Sequence, residues 1–205
     1  MWVVKFGGSL FNADNLRDWL ALFSETRSLI VVPGGGPFAS QVRQAQIQFG
    51  FDDYTAHFMA LLAMEQYGRM LCGLQPGLEV ATTQKEIEAT LDRGVTPVWM
   101  PTSMVMADSD IEQSWSVTSD SLSVWLAGQL GVKRLVLVKS ISFEEPGLSV
   151  KTLEDNDVVD DRFAEYLHTS RVEAWMVGQE DKSHFSELLR DQFTNATRIV
   201  IPDTY

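Results

Sequence analysis

The sequence predicts an α/β fold in which a mainly parallel sheet carries helices on both faces, as a single domain over residues 1–205. Three observations point there. Short apolar runs rich in Val and Ile, at Trp2–Phe6 and at residues 29–32, 98–100, 135–138, 174–177 and 199–201, alternate with stretches of helical periodicity; that alternation is the mark of βαβ units. Glycine clusters follow the first two runs directly, at Gly7 and Gly8 and at Gly34 to Gly36, where a strand-to-helix turn belongs. No internal repeat, low-complexity tract or Pro/Gly/Ser linker divides the 205 residues, of which 45% are hydrophobic, enough for one full core.

Taken in order, the first helix presents Leu16, Trp19, Leu20 and Phe23 on one face, with Asn12 or Asp14 placed to cap it. Pro37 fits the first turn of a helix running through Val42 to Phe49. Asp53 is placed to cap a third helix whose Phe58, Met59 and Leu62 point inward. Further helices are expected near residues 85–93, 121–130, 161–168 and 183–192. Residues 101–115 and 142–157 show no clean period and read as irregular segments, either binding loops or surface loops without a role.

The formal net charge of −12 and the pI near 4.6 argue against nucleic-acid binding, which needs clustered Lys and Arg. A small anionic ligand is not excluded, since a few cations in a pocket stand out in an acidic protein. The acidic residues read mostly as a solvated surface, densest in "LEDNDVVDDRFAE". No stretch approaches the roughly 18 apolar residues of a membrane span, so a cytoplasmic protein is expected. The single cysteine, Cys72, lies in an apolar helical pattern and reads as a buried, inert thiol.

Three features carry chemistry. In "KFGGS", Lys5 ends the first strand just before Gly7, Gly8 and Ser9, where an ammonium beside glycine N–H groups would neutralise a transferring phosphoryl group. In "PGGGPFAS", three consecutive glycines open a helix whose N-terminal dipole favours an anion. The spacing is neither the Walker P-loop nor the dinucleotide G-x-G-x-x-G, so a Rossmann dehydrogenase is not expected. Arg43 on that helix is read either as a bidentate ligand to an acceptor phosphate or as a solvent-facing residue. In "SWSVTSDSLSVWLAGQLG", Asp120, or Ser119 before it, is an N-cap; alternatively the Asp120 carboxylate orients Lys5.

Together, "KFGGS", "VVPGGGPFAS" and "TSDSLSVWLA" resemble the amino acid kinase family in order and spacing. The resemblance implies a three-layer α/β/α sandwich whose residues 1–125 form the acceptor side and whose residues 126–205 bind ATP. It implies an ATP-dependent phosphotransferase, with Mg²⁺ arriving on ATP rather than in a dedicated protein cage, and at least a homodimer. Lys5 and Asp120 take the catalytic roles, Gly7, Gly8, Ser9, Lys139 and Ser140 the ATP side, and Gly34, Gly35, Gly36, Arg43, Trp115 and Thr118 the acceptor side. Within the family, "PGGGPFASQVR", "AHFMALLAMEQYG" and "SWSVTSDSLSVWLA" look most like the small kinases of methanofuran-type cofactor biosynthesis. That likeness implies an aminomethylfuran-methyl phosphate as acceptor, converted to its diphosphate.

The match departs at the nucleotide side. Where the family has approximately Thr-Asp-Val-Asp-Gly, this chain has Lys139, Ser140, Ile141, Ser142 and Phe143, and the Gly-Gly-Met segment that precedes a second phosphate-binding lysine is missing. Lys139 is the best substitute, against a solvent-facing strand-end lysine, with Lys151 and Lys182 weaker. His57 reads as a satisfied helix residue, and His168 and His184 as surface. No histidine follows the triple glycine, unlike isopentenyl phosphate kinases. The tryptophans read as core except Trp115, which suits a pocket for a flat ring. Alternative readings are a kinase for another small acid or phosphate, of carbamate or uridylate type, and a degenerate, non-catalytic nucleotide or oxyanion binder.

Overall fold

The structure, a computed structural model, describes residues 1–141, 147–193 and 196–201. Ser142 and Phe143 lie outside the described residues. The first part of the chain forms β1 (Trp2–Phe6), a short 3₁₀ turn (Gly8–Asn12), α1 (Leu16–Glu25), β2 (Leu29–Pro33), α2 (Gly36–Phe49), α3 (Asp53–Leu74), β3 (Leu78–Ala81), α4 (Gln84–Asp92), β4 (Thr96–Trp99), α5 (Thr102–Val105) and α6 (Ser119–Gln129). The rest forms β5 (Arg134–Lys139), β6 (Gly147–Ser149), α7 (Val150–Asp155), α8 (Phe163–Ser170), β7 (Glu173–Gly178), α9 (Lys182–Leu188) and β8 (Thr197–Val200).

The strands make one sheet in the order β3-β4-β2-β1-β5-β7-β8-β6. Every pairing is parallel except β7 with β8. From β1 the chain adds β2, passes to the edge strand β3 and returns to lay β4 between β3 and β2, then restarts at β5 on β1's other side. The switch point of the sheet therefore lies between β1 and β5, where α/β folds open a ligand crevice at the carboxyl ends of the strands.

Strand alternation decides which side chains meet there. Val4 and Phe6 of β1 join Val136 and Val138 of β5 in an apolar core with Trp19, Phe23 and Phe185. Val3, Leu135 and Leu137 point to the opposite face and pack with Leu122 and Leu126 of α6. Lys5 and Lys139 share the parity of that second face, so α6 covers both lysines. Both faces are closely packed, and truncating a fully buried side chain such as Leu137 to Ala is expected to destabilise by about 2–5 kcal/mol.

Several elements differ from the sequence expectation. β3 was not expected; its four residues are buried only at Leu78 and Ala81 and give no continuous apolar run. β4 starts at Thr96, and β8 ends at Val200 and runs antiparallel to β7. The stretch 142–157 is not irregular throughout, because it contains β6 and α7, and 101–115 contains the single turn of α5. Asp52 rather than Asp53 caps α3, accepting from the Thr55 N–H at 2.7 Å. Phe58 and Leu62 point outward, each 38% exposed, while Leu61, Met64, Tyr67 and Leu71 face inward. Asn15 rather than Asn12 or Asp14 stands at the start of α1, and its side chain donates instead to the Gln179 carbonyl at 2.9 Å. Among the described residues no helix is long and apolar enough to cross a membrane.

Candidate active site

The two glycine turns interlock at the carboxyl ends of β1 and β2. The Gly34 N–H donates to the Phe6 carbonyl at 2.9 Å, and the Gly7 N–H to the Val138 carbonyl at 3.1 Å. A Cβ added at Gly8 would lie 2.3 Å from the Gly36 nitrogen, and one at Gly34 would lie 2.4 Å from the Gly8 nitrogen. Backbone thus meets backbone, and only glycine permits it. Gly36 adds a positive φ of 54°. No side chain caps the first turn of α2, so its N–H groups are left for a ligand. The N–H groups of Gly7 and Gly34 are thus committed to backbone carbonyls, so Gly8, Gly35 and Gly36 form the cradle and Gly34 serves the close approach of the two turns.

Beside the glycines stands a three-charge cluster. Lys5 Nζ lies 2.8 Å from Asp120 Oδ1, and Lys139 Nζ lies 2.9 Å from both Asp120 oxygens and 2.5 Å from the Val158 carbonyl oxygen. The three side chains are 6%, 8% and 12% exposed for Lys5, Asp120 and Lys139. Burial alone would raise the Asp120 carboxyl, but the Lys139 and Lys5 ammonium groups outweigh it and hold Asp120 below the usual carboxylate range. Burial pulls Lys139 down to about 8, against the attraction of Asp120 and with the repulsion of Lys5.

Asp120 is therefore not the cap of its helix. Thr118 occupies the N-cap position without a capping side-chain bond. The cap comes from a distant residue: Asp160 Oδ2 accepts from Thr118 N at 2.8 Å, the Thr118 hydroxyl at 2.7 Å and Ser121 N at 3.1 Å, while Oδ1 accepts from the Ser121 hydroxyl. Burial and the neighbouring Asp120 carboxylate push Asp160 upward. Sequence reasoning missed Asp160 because it sits in an acidic run read as solvated surface, and no residue pattern there signals a partner some forty positions upstream.

A cavity of about 710 Å³ opens between α2, α3 and the loop before α6, with Ser9, Gly35, Arg43, His57, Trp115 and Thr118 in its wall. A second, of about 590 Å³, is walled by Asp120, Lys139, Val158 and Asp160. Arg43, Trp115 and Thr118 belong to both cavities. The Arg43 guanidinium sits 4.3 Å above the Trp115 ring, which in turn donates to Gln46 Oε1 at 2.6 Å. Arg43 is exposed, and its guanidinium is stacked on Trp115 at this boundary.

His57 differs from the expectation of a satisfied helix residue. It is 3% exposed, its Nδ1 lies 3.3 Å from the Ser114 carbonyl oxygen, and its Nε2 has no hydrogen-bond partner among the described residues. Burial lowers its pKa, so the neutral ring is favoured. Ser140 is exposed at the end of β5 and lines neither cavity. Lys151 is a surface residue paired with Asp155, and Lys182 pairs with Asp18 of α1, so neither replaces Lys139 beside Asp120. His168 is exposed and His184 half-buried. Cys72 is half-buried with its thiol pushed up to about 11, chiefly by burial, as suits an inert thiol.

Residues 1–143 match the amino acid kinase family. Over 212 aligned residues the chain is 24% identical to the (5-(aminomethyl)furan-3-yl)methyl phosphate kinase of Methanocaldococcus jannaschii, with 98% of each chain covered. In three dimensions it is similar to a uridylate kinase from Archaeoglobus fulgidus, with a TM-score of 0.74 and 16% identity over 98% of this chain and all 100% of that one. It is likewise similar to an aspartate kinase from Synechocystis, with a TM-score of 0.71 and 13% identity over 98% of this chain and 40% of the other. These likenesses show the α/β fold with its mostly parallel sheet, and a family match over more than half the length shows the rest: the chain belongs to the amino acid kinase family and is a kinase of that family.

Proposed function

We propose that this kinase transfers the γ-phosphoryl group of ATP to a small phosphomonoester, (5-(aminomethyl)furan-3-yl)methyl phosphate, giving its diphosphate for a methanofuran-type cofactor. The observation that carries the reading is the Lys5–Asp120–Lys139 cluster beside the interlocked glycine turns, where two cavities share a wall. Such a place can bring two phosphates face to face. The acceptor is supported by the relative aligned over 98% of both chains. Family members typically use ATP. In this reading residues 1–125 supply the acceptor side and residues 126–205 the nucleotide side of a single domain.

In the reaction an oxygen of the acceptor phosphate attacks Pγ, the bond from Pγ to the β,γ-bridging oxygen breaks, and ADP leaves with that electron pair. A phosphomonoester is already ionised at neutral pH, so no general base is required. The loose transition state leaves the protein to position the groups and neutralise charge. Among the described residues Lys5 pairs only with Asp120, so its remaining N–H donors are free for the transferring oxygens. Asp120 fixes its rotamer. Gly8, Gly35 and Gly36 hold anions through N–H groups, Arg43 takes the acceptor phosphate, and Trp115 offers its face to the furan ring. Mg²⁺ is assigned to the ATP phosphates, as its octahedral, largely hydrated chemistry favours.

The test is ADP release with a panel of acceptors: the furan phosphate, UMP and carbamate, with ³¹P NMR of the product. ADP release that depends on the furan phosphate, with a diphosphate as product, is expected. Release with UMP or carbamate alone, or ATP binding without turnover on any acceptor, would overturn the reading.

A further inference from the structure

We propose that Asp160 is a positioning residue for the phosphoryl-transfer cluster: it pins residues 157–161 to the first turn of α6 and thereby holds the Val158 carbonyl against the Lys139 ammonium. Its catalytic consequence rests on the reading of the Lys5–Asp120–Lys139 cluster as the site of phosphoryl transfer.

Both oxygens of Asp160 are in use. Oδ2 receives the Thr118 N–H, the Thr118 hydroxyl and the Ser121 N–H, and Oδ1 receives the Ser121 hydroxyl. Two further bonds tie the same segment to the strip before α6: the Ser116 hydroxyl donates to Asp161 Oδ2 at 3.2 Å, and the Arg162 N–H donates to the Ser116 carbonyl at 3.2 Å. Val158 lies two residues before Asp160; its own N–H is anchored to the Leu153 carbonyl at 2.8 Å, and Asp160 supplies the second anchor, on the other side of its carbonyl.

That carbonyl completes the coordination of Lys139. An ammonium has three N–H donors. Lys139 shares N–H density between the two Asp120 oxygens, both at 2.9 Å, and directs another donor to the Val158 oxygen, so most of its donor capacity is spent on protein. Lys5, with Asp120 as its partner among the described residues, keeps donors free. The two lysines thus divide the work. Lys139 neutralises Asp120 in a fixed geometry, and Lys5 is presented to the phosphoryl group. Asp160 also places a carboxylate at the N-terminus of α6, where the helix dipole favours it even though Asp120 stands close by. Burial and that neighbour push Asp160 upward, so only dense hydrogen bonding keeps it an acceptor.

The test combines a spectroscopic and a kinetic measurement. A nearly buried ammonium held by a carboxylate and a carbonyl exchanges slowly, so ¹H–¹⁵N spectra of the lysine ammonium groups at low temperature should show a resolved Lys139 signal, assigned by its disappearance in Lys139→Arg. Asp160→Ala should abolish that signal, whereas Asp160→Asn, whose amide oxygen still accepts from Thr118, should retain it. A signal absent from the wild type, or unchanged in Asp160→Ala, overturns the proposal. In turnover, Asp160→Ala should lower kcat on the order of tenfold or more. The same change in a Lys139→Ala background should lower it by less than about twofold, because coupled residues are not additive. Equal losses in both backgrounds indicate a merely structural role and overturn the proposal. If Asp160→Ala does not fold, Ser121→Ala removes one of the four bonds and is judged by the same two criteria. A wild type without turnover on the furan phosphate rejects the proposed acceptor and leaves the ammonium signal to decide the role of Asp160.

Discussion

Lys5 and Lys139 reach one carboxylate from neighbouring strands, and their surroundings make them chemically different. Lys5 pairs with a single oxygen of Asp120, so removing it leaves Asp120 still bound to Lys139. Lys5→Ala is therefore expected to fold and melt close to wild type while kcat falls by about 10²-fold or more, as loss of a preorganised charge usually gives. Steady-state kinetics and melting on one preparation check it, and a near-normal kcat removes Lys5 from the mechanism. Lys139 predicts a pH effect, because burial, with Asp120 pulling the other way, brings it down to about 8. Below that pH the ammonium is present; above it Lys139 becomes a neutral amine and the cluster loses a positive charge. The kcat/KM profile, which reports the free enzyme, should fall on its alkaline side near pH 8. Lys139→Arg, which stays charged throughout, should remove that limb even if its plateau is lower. An alkaline limb that is unmoved in the arginine variant assigns it to another group.

Elements decide whether these residues meet. The interlocked turns leave no room for a side chain, so Gly34→Ala drives a Cβ to 2.4 Å from the Gly8 nitrogen, a backbone atom that cannot swing away. We expect destabilisation of about 1–3 kcal/mol together with a loss of activity, read by denaturant melts and kcat. A fully active, unshifted variant would mean that the turns are not in contact. On α3, Tyr54, Phe58 and Leu62 repeat at i, i+4 and i+8 and are 57%, 38% and 38% exposed, with Ile47 and Phe49 of α2 more exposed still. Apolar stripes of this kind usually have a partner, and a homodimer through them is the expected outcome. Sedimentation should show a dimer at micromolar concentration and a monomer for Phe58→Glu; a monomeric wild type rejects the idea. The same helix shows where sequence reading failed. It is apolar nearly all round, so the large Phe58 and Leu62 looked like core residues although Leu61 and Met64 fill that role. The buried strands β1, β2, β5 and β7 were legible because each is a near-continuous apolar run; β3 was not, because only its two ends are buried.

At the scale of the molecule, Asp120 joins the two wings of the sheet, since it rides on α6 and binds one lysine from β1 and one from β5. The pairing of Asp120 with Lys5 was legible from the three motifs. Its pairing with Lys139 was not, because that depends on β5 lying next to β1 across a long connection, and Asp160 was hidden in a charged run whose partners only the fold supplies. The geometry also changes what Asp120→Asn should do. Were Asp120 a cap, asparagine would serve about equally well. Here the substitution leaves two nearly buried ammonium groups facing a neutral amide, and breaking a buried charge pair typically destabilises by about 3–5 kcal/mol. For a chain of this size that corresponds to a melting temperature lower on the order of 10 °C. The effect carries a pH sign. Without the carboxylate, Lys139 is depressed further below its unfolded value. The penalty is full where Lys139 is charged in the folded state and shrinks as pH rises toward the unfolded lysine range, because the folded protein sheds that proton first. Thermal melts of wild type and Asp120→Asn at pH 6 and pH 9 should therefore show the larger gap at pH 6, with kcat strongly reduced at both. Equal melting temperatures at pH 6 would show that the two lysines do not depend on Asp120, and the cluster would lose its centre.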